Sequence, residues 1–230
     1  MSDLLRTSQL PFAGEKPGFE AKPHWRGRLH AGVVPVVLAA GTVLTVLAPH
    51  GWTTAAAALY TACGLMLFTV SAVYHCGTWS PPVLEVLRRV DHSNVYLLIA
   101  GTYTPIVGLG LTGTARTALL WGIWTGACAG IVFRCVWPGA PRALYTALYI
   151  ALGWSLAPVF GQLLHQAGPA VLALTVTGGI LYTAGGVVYA LKRPDPSPAR
   201  FGFHEVFHAC TVAAWTCQYV AISLLTLRAG

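Results

Sequence analysis

Seven apolar runs occupy most of the sequence, and each is long enough to cross a lipid bilayer as an α-helix. A bilayer core about 30 Å thick needs roughly 20 residues of helix, with a range of about 17–25. The segments between the runs are short and rich in Pro and Gly, so they leave no room for another folded domain. We therefore predict an all-α integral membrane protein with a cytoplasmic tail at 1–28 and a seven-helix bundle at 29–230. The predicted spans are 30–47, 54–75, 92–111, 117–133, 143–164, 170–191 and 203–227.

The composition supports a membrane protein and excludes two other classes. Only 9% of the 230 residues are charged and 55% are hydrophobic, whereas about 25% of a typical soluble domain is charged. The basic residues lie between apolar runs and form no patch, which excludes nucleic acid as a partner. The lysines are Lys16, Lys22 and Lys192. None of them lies at mid-helix, which excludes a retinal-binding pump.

The positions of Lys and Arg orient the predicted bundle. Twelve of the 14 basic residues lie in the N-terminal tail or in every second loop, and only Arg116 and Arg228 lie on the opposite side. Cytoplasmic segments of membrane proteins carry an excess of Lys and Arg. We therefore predict a cytoplasmic N-terminus and an outer C-terminus.

Small residues and one proline predict details of helix packing. Gly122, Gly126 and Gly130 form a ridge on the fourth span that lets another helix approach closely. The ridge packs either within the bundle or in a homo-oligomer, and the sequence leaves both open. Pro158 predicts a kink in the fifth span, which helix bundles tolerate.

Histidines at two predicted helix ends form the strongest candidate site. His204 and His208 are spaced i, i+4 at the start of the last span, so they share one face and can bind one metal ion together. His75 ends the second span, four residues after Ser71, and the predicted topology places it at the same cytoplasmic depth. We predict that these three histidines form a zinc site of the catalytic kind, with a fourth position left for water or substrate.

Other polar groups at this depth have more than one interpretation. Asp91 starts the third predicted span and either caps that helix or contributes a carboxylate to the metal site. Ser71 either bonds back to its own helix or lies beside the metal. His30, at the start of the first span, is a candidate neighbour of the site, and His92 is a weaker one. Ionisable residues at membrane depth are costly, which makes them functional candidates.

The string His204-Glu205-Val206-Phe207-His208 also matches the zincin motif, in which the glutamate is a general base. That fold needs a further ligand downstream, and no His, Asp or Glu follows His208. Glu205 lies about 100° around the helix from His204. We therefore favour a paired or solvated role for Glu205 near the cytoplasmic surface over a catalytic one.

With these residues the sequence resembles the haemolysin III family, the bacterial branch of the progestin and adipoQ receptor family. The matching motifs are Ser71-x-x-x-His75, Asp91-His92-Ser93-Asn94, Gly101-Thr102-Tyr103-Thr104-Pro105 and His204-x-x-x-His208. The resemblance implies seven helices in the bacterial inner membrane, with a cytoplasmic N-terminus. It also implies zinc bound by the three histidines near the cytoplasmic face, a water at the zinc held by Asp91, and Ser71 beside it.

One departure limits what the resemblance implies. Animal members of the wider family carry an acidic and Asn-containing motif before the histidine that precedes the first helix. Here His30 matches that histidine, but Pro23 and Arg26 stand where the Glu and Asn would be. Coupling to a hormone is therefore not implied.

Three functions are compatible with this site. The one we favour is a zinc-dependent hydrolase of lipid amides or esters, in which Asp91 activates water and Ser71 donates to the developing oxyanion. The second is a sensor of membrane lipid in which zinc only braces two helices. The third is a cytolysin. The ligand set serves catalysis and bracing equally well, so the sequence does not separate the first two.

Overall fold

The computed structural model describes residues 23–229, and the regular elements of this part are helices. One 3₁₀ turn, Ala157–Val159, separates the fifth helix from the sixth. The helices are α1 (Arg28–Leu47), α2 (Trp52–Cys76), α3 (Pro81–Gly110), α4 (Gly113–Val136), α5 (Arg142–Gly153), α6 (Phe160–Ala167), α7 (Pro169–Leu191) and α8 (Phe203–Arg228).

Six helical segments of the described chain are long and apolar enough to cross a membrane. They are α1, α2, α4, the combined segment Arg142–Ala167, α7 and α8. Large apolar side chains such as Val46, Trp121 and Val136 are exposed on the outside of the bundle, where contiguous apolar surface is typical of contact with lipid. The prediction of an all-α integral membrane protein is therefore confirmed. The 30-residue α3 is not among these six segments, because it carries polar residues such as Asn94 and Thr104.

The third helix begins earlier than the sequence predicts. It starts at Pro81 and not at residue 92, because proline is well suited to the first turn, where its missing N–H is not needed. The predicted loop before residue 92 is therefore largely helical. Asp91 lies in the third turn of a continuous helix, so the alternative in which it caps a helix start is wrong.

The fifth predicted span, 143–164, is broken and is not one helix. α5 ends at Gly153, and Pro158 lies inside the break, where the sequence predicts a kink. Tyr103 on α3 binds the freed backbone groups: its hydroxyl donates to the Gly153 carbonyl at 2.8 Å and accepts from the Leu156 N–H at 2.9 Å. Such bonds allow irregular backbone at membrane depth.

α3 is central to the bundle and contacts α2, α4, α5, α6 and α8. Glycines of the α4 ridge allow α4 to approach α3 and α5 closely. A Cβ at Gly130 would collide with the ring of Tyr96 on α3, and one at Gly126 would lie 2.6 Å from Leu152 on α5. Both glycines therefore serve packing within the bundle. A Cβ added at Gly122 would meet no residue of another helix within 4 Å in the described part of the chain, and a homo-oligomer through this ridge stays a prediction.

Candidate metal centre

Three histidines lie together where the last turn of α2 meets the first two turns of α8. Nε2 of His75 lies 3.2 Å from Nε2 of His204, and one ring nitrogen from each of the three lies within 4.8 Å of the others. The ring centroid of His208 is 4.5 Å from that of His204 and 5.2 Å from that of His75. His75 and His208 are buried, and His204 is half-buried. The structure thus brings the three predicted ligands to one point.

The donor set of this cluster fits a divalent metal ion. Neutral imidazoles are good ligands for zinc, and two nitrogens bound at about 2.0–2.1 Å to a tetrahedral zinc are about 3.3 Å apart. The separation between His75 and His204 is already close to that value. Within residues 23–229, Nδ1 of His208 is buried without a hydrogen-bond partner, and buried polar atoms normally have one. The cluster could therefore hold a metal ion through its three imidazoles.

A serine and a carboxylate form a second polar group beside the histidines. Ser71 lies one turn before His75 on α2, and its hydroxyl lies beside the carboxylate of Asp91 on α3. A serine hydroxyl can donate to an ionised carboxylate, which only accepts. Ser71 is buried, and the Asp91 side chain is 16% exposed. Both residues line the same cavity as His204 and His208. The Ser71 hydroxyl therefore lies next to a carboxylate of the neighbouring helix, at the wall of this cavity.

A fourth histidine packs against the cluster. The ring of His30 on α1 is stacked on the ring of His208, with centroids 3.8 Å apart and planes 12° apart. The rings of Phe68 and His30 meet edge to face, at a centroid distance of 5.0 Å. His30 is almost fully buried. These contacts limit the rotation of the His208 ring, so His30 helps to orient it.

Glu205, between the two histidines of α8, is paired and fully buried. One carboxylate oxygen accepts from Nε of Arg26 at 2.5 Å, and the other accepts from the backbone N–H of Gly202 at 2.8 Å. The second bond satisfies an N–H at the start of α8, where helices leave such groups unpaired. The paired role is therefore the one observed, and the solvated role is wrong.

Residues 23–27, which we call the strap, lie across the helix ends that carry the histidines. Backbone bonds of 3.1 Å join His24 and Trp25 to the loop before α8. Gly27 has φ +77°, and a Cβ there would lie 2.6 Å from Cβ of His75. Only glycine combines that backbone conformation with so close an approach. The strap therefore fixes the end of α2 at the metal cluster.

His92 belongs to a group of tyrosines at the edge of the cavity. Its Nδ1 donates to the Arg88 carbonyl at 2.7 Å, so in the neutral ring Nε2 is an acceptor and faces the hydroxyl of Tyr189 at 3.4 Å. Its own carbonyl accepts from Tyr149 at 2.9 Å. Both ring nitrogens of His92 thus have partners outside the metal cluster.

An elongated cavity of about 150 Å³ begins at the polar residues and passes between α3, α5, α7 and α8. Along α3 its wall extends from Asp91 to Ile106, which corresponds to about 22 Å of helix. Leu156 and Phe160, around the break in the fifth segment, line it as well. Most of the wall is apolar or aromatic. The cavity therefore has the length and lining to accept a hydrocarbon chain with its polar end at the histidines.

Sequence reasoning missed two residues that shape this site. Tyr103, which holds the broken segment against the cavity, lies in the motif Gly101-Thr102-Tyr103-Thr104-Pro105, and that motif was the available signal. The sequence marks Arg26 only as a departure from a family motif, although its guanidinium is the partner of Glu205. No local pattern links residues 179 positions apart.

A helical membrane bundle with a histidine cluster at one end of an elongated cavity is the class of protein that this fold and site define. Residues 20–219 match the model of a protein family described as haemolysin-III related. The chain therefore belongs to the haemolysin III family.

Curated relatives from bacteria and animals agree with this membership. The chain is 35% identical over 129 residues to a Hemolysin-3 homolog of Bacillus subtilis, covering 56% of this chain and 60% of that one. It is 33% identical over 147 residues to Hemolysin-3 of Bacillus cereus, covering 63% and 66%. A human protein, Monocyte to macrophage differentiation factor, is 24% identical over 197 residues, covering 84% and 79%. The matches thus span less than two thirds of the two Bacillus proteins.

Proposed function

We propose that this chain is a zinc-dependent hydrolase that cleaves an amide or ester bond of a membrane lipid near the cytoplasmic face. One observation carries the proposal: the histidine cluster and the pair Ser71–Asp91 lie at the polar end of an elongated cavity. Metal ligands, a carboxylate and a space for a hydrocarbon chain together match what hydrolysis of a lipid requires.

We further propose a specific topology in a bacterial inner membrane. α3 is the third of seven membrane segments, and the segment Arg142–Ala167 is the fifth. The N-terminus is cytoplasmic and the C-terminus is outside. The support is the asymmetry of Lys and Arg, of which only Arg116 and Arg228 lie at the proposed outer side. In this topology the histidines lie on the cytoplasmic side, within reach of lipids of the inner leaflet.

His75, His204 and His208 would hold the zinc ion, which when bound acts as a Lewis acid on a substrate carbonyl and on water. Asp91 is the general base in this scheme, because its carboxylate faces the cavity and can take a proton from the attacking water. The bond between the acyl carbon and its nitrogen or oxygen then breaks, and the proton on Asp91 passes to the leaving group.

Ser71 has a positioning role in this proposal. Its hydroxyl lies beside the Asp91 carboxylate, and by donating to it the hydroxyl would hold the carboxylate in place at the cavity wall. To donate to an oxyanion, as the sequence suggests, the hydroxyl would have to turn away from Asp91. His30, stacked on the ring of His208, helps to hold that ring in place, and the strap holds α2 against α8.

Substitution of Asp91 by Asn separates catalysis from metal binding. The purified chain in lipid nanodiscs would be tested on a fluorescent N-acyl lipid, and its zinc content measured by elemental analysis. We expect Asp91→Asn to keep its zinc and to lose turnover by about 10²–10⁴-fold, which is the usual contribution of a general base. Glu85→Gln, on the same helix but paired at the surface with Arg88 and Arg89, is the matched control and should retain full turnover.

Two results would count against the proposal. Full turnover in Asp91→Asn would remove the carboxylate from the mechanism. Absence of turnover in the zinc-loaded wild-type chain, with amide-linked and ester-linked lipids alike, would leave zinc as a brace between α2 and α8.

A further inference from the structure

Two buried polar side chains in the cavity wall lie far from the metal cluster and retain unused hydrogen-bonding atoms. Gln218 on α8 donates from Nε2 to the backbone carbonyl of Thr175 on α7 at 3.1 Å. Among the described residues, Oε1 of Gln218 and Oγ1 of Thr175 are both buried without a partner. The two residues are only 5% and 8% exposed, and both line the cavity. At this depth an unsatisfied polar atom is costly.

The orientation of the Gln218 amide is determined by its surroundings. A carbonyl can only accept, so the nitrogen of the amide must face the Thr175 carbonyl and the oxygen is left as an acceptor. Gly178 provides the space, because a Cβ there would collide with the Gln218 amide. The side chain is therefore held against α7.

The position of this pair along the cavity sets a distance. Gln218 is ten residues after His208 on α8, which is about 15 Å of helix. The intervening wall includes Thr211 and Tyr182. A ligand that has its reactive group at the histidines and a hydrocarbon chain in the cavity would pass Gln218 and Thr175 about two thirds of the way along the wall of about 22 Å.

The chemistry of the two free atoms selects a hydroxyl group. The amide oxygen of Gln218 needs a donor, and the hydroxyl of Thr175 can donate or accept. An alcohol on the ligand can donate to the first and accept from the second at the same time. A ketone has no hydrogen to donate, and a plain methylene offers neither interaction.

We infer that the cavity is selective for lipids whose hydrocarbon chain carries a hydroxyl group about 15 Å from the metal-proximal end, bound by Gln218 and Thr175. The inference rests on the proposed function for which end of the ligand is reactive. It makes Gln218 and Thr175 specificity-determining residues, and it narrows the substrate class to lipids with a hydroxylated chain.

The test compares the binding of two fatty acids that differ only in a hydroxyl group. The full protein chain in nanodiscs would be titrated with octadecanoic acid and with octadecanoic acids that carry the hydroxyl group at successive positions along the hydrocarbon chain. We expect the best hydroxylated acid to bind about five- to tenfold more tightly than the plain acid, the effect of one additional buried hydrogen bond. The preference should peak where the hydroxyl lies about 15 Å from the carboxyl group.

Three variants assign the preference to this pair. Gln218→Leu and Thr175→Val should each bring the ratio of the two dissociation constants close to one. Thr102→Val is the matched control: Thr102 also lines the cavity, but its hydroxyl is bonded to the Leu98 carbonyl at 2.7 Å. This control should keep the wild-type ratio. Thr175→Val, nearly the same size as the native residue, covers the case in which Gln218→Leu does not fold.

Several outcomes would overturn the inference. A wild-type ratio of one would mean that water, and not a ligand hydroxyl, satisfies these atoms. A preference that persists in both variants would place the recognition elsewhere. Hydrolysis without any hydroxyl preference would overturn this inference and leave the proposed function intact. A hydroxyl preference in a chain that hydrolyses no lipid would overturn the proposed function and leave this inference intact.

Discussion

Replacement of Arg26 by Ala tests how the strap holds the start of α8. The Glu205 carboxylate is fully buried, and without Arg26 the one hydrogen bond that it retains within residues 23–229 is that from the Gly202 N–H. Removal of one partner of a buried ion pair costs about 3–5 kcal/mol. The Arg26 side chain is 22% exposed, so water can reach the space that it leaves. We therefore expect a loss of about 2–3 kcal/mol in the free energy of unfolding.

The second change, Glu205→Gln, shows whether the loss comes from the buried charge. In the Arg26→Ala background it replaces an unpaired carboxylate by a neutral amide of the same size. We expect the double variant to recover at least about 1 kcal/mol relative to Arg26→Ala, because residues in direct contact are not additive.

Thermal unfolding of the purified variants in one detergent is the assay. For chains of about this size, 1 kcal/mol corresponds to a shift of about 2–4 °C in Tm, so Arg26→Ala should unfold about 4–12 °C below the wild type. Arg193→Ala, at an exposed position, is the control and should shift little. Equal Tm shifts for Arg26→Ala and Arg193→Ala would refute the reasoning. A double variant whose loss of stability equals the sum of the losses in Arg26→Ala and Glu205→Gln would refute it as well.

Two glycine substitutions test the close approaches in the bundle. Gly27→Ala should lower zinc affinity about 10–100-fold in a chelator competition, as loss of support for a ligand does, because the new Cβ displaces His75. Gly32→Ala should leave the affinity unchanged, because its new Cβ would meet nothing within 4 Å among the described residues. Equal zinc affinities in the two variants would contradict the role of the strap. Gly130→Ala should lower the free energy of unfolding by about 1–3 kcal/mol through overpacking. The control, Gly122→Ala, should lie within about 0.5 kcal/mol of wild type. Similar Tm values for the two variants would contradict the packing described for α4.

The membrane fold is largely predictable from the sequence because apolar length alone determines which segments can cross a bilayer. The exceptions are α3 and the fifth segment. α3 begins eleven residues early because Pro81 favours a helix start, although the residues that follow are too polar for a span. The break after Gly153 depends on Tyr103, which lies on another helix, and no local pattern encodes a contact of that kind.

The candidate site shows the same division between local and tertiary information. The spacing of His204 and His208 is a local property of a helix, and it predicts their shared face directly. The predicted topology indicates that His75 lies near these two histidines, because alternating loops place the end of α2 and the start of α8 on the same side. The stacking of His30 on His208 and the pairing of Arg26 with Glu205 depend on the packing of α1 and the strap against α8, which the sequence does not encode locally.

The coordination of zinc in the purified chain tests the central claim most directly. X-ray absorption at the zinc edge, together with elemental analysis, gives both the ligand type and the stoichiometry. The account predicts about one zinc per chain with three imidazole nitrogens at about 2.0–2.1 Å, and loss of that zinc in His208→Ala. A chain without stoichiometric zinc, or a sulfur ligand at about 2.3 Å contributed by a residue such as Cys76, would contradict it.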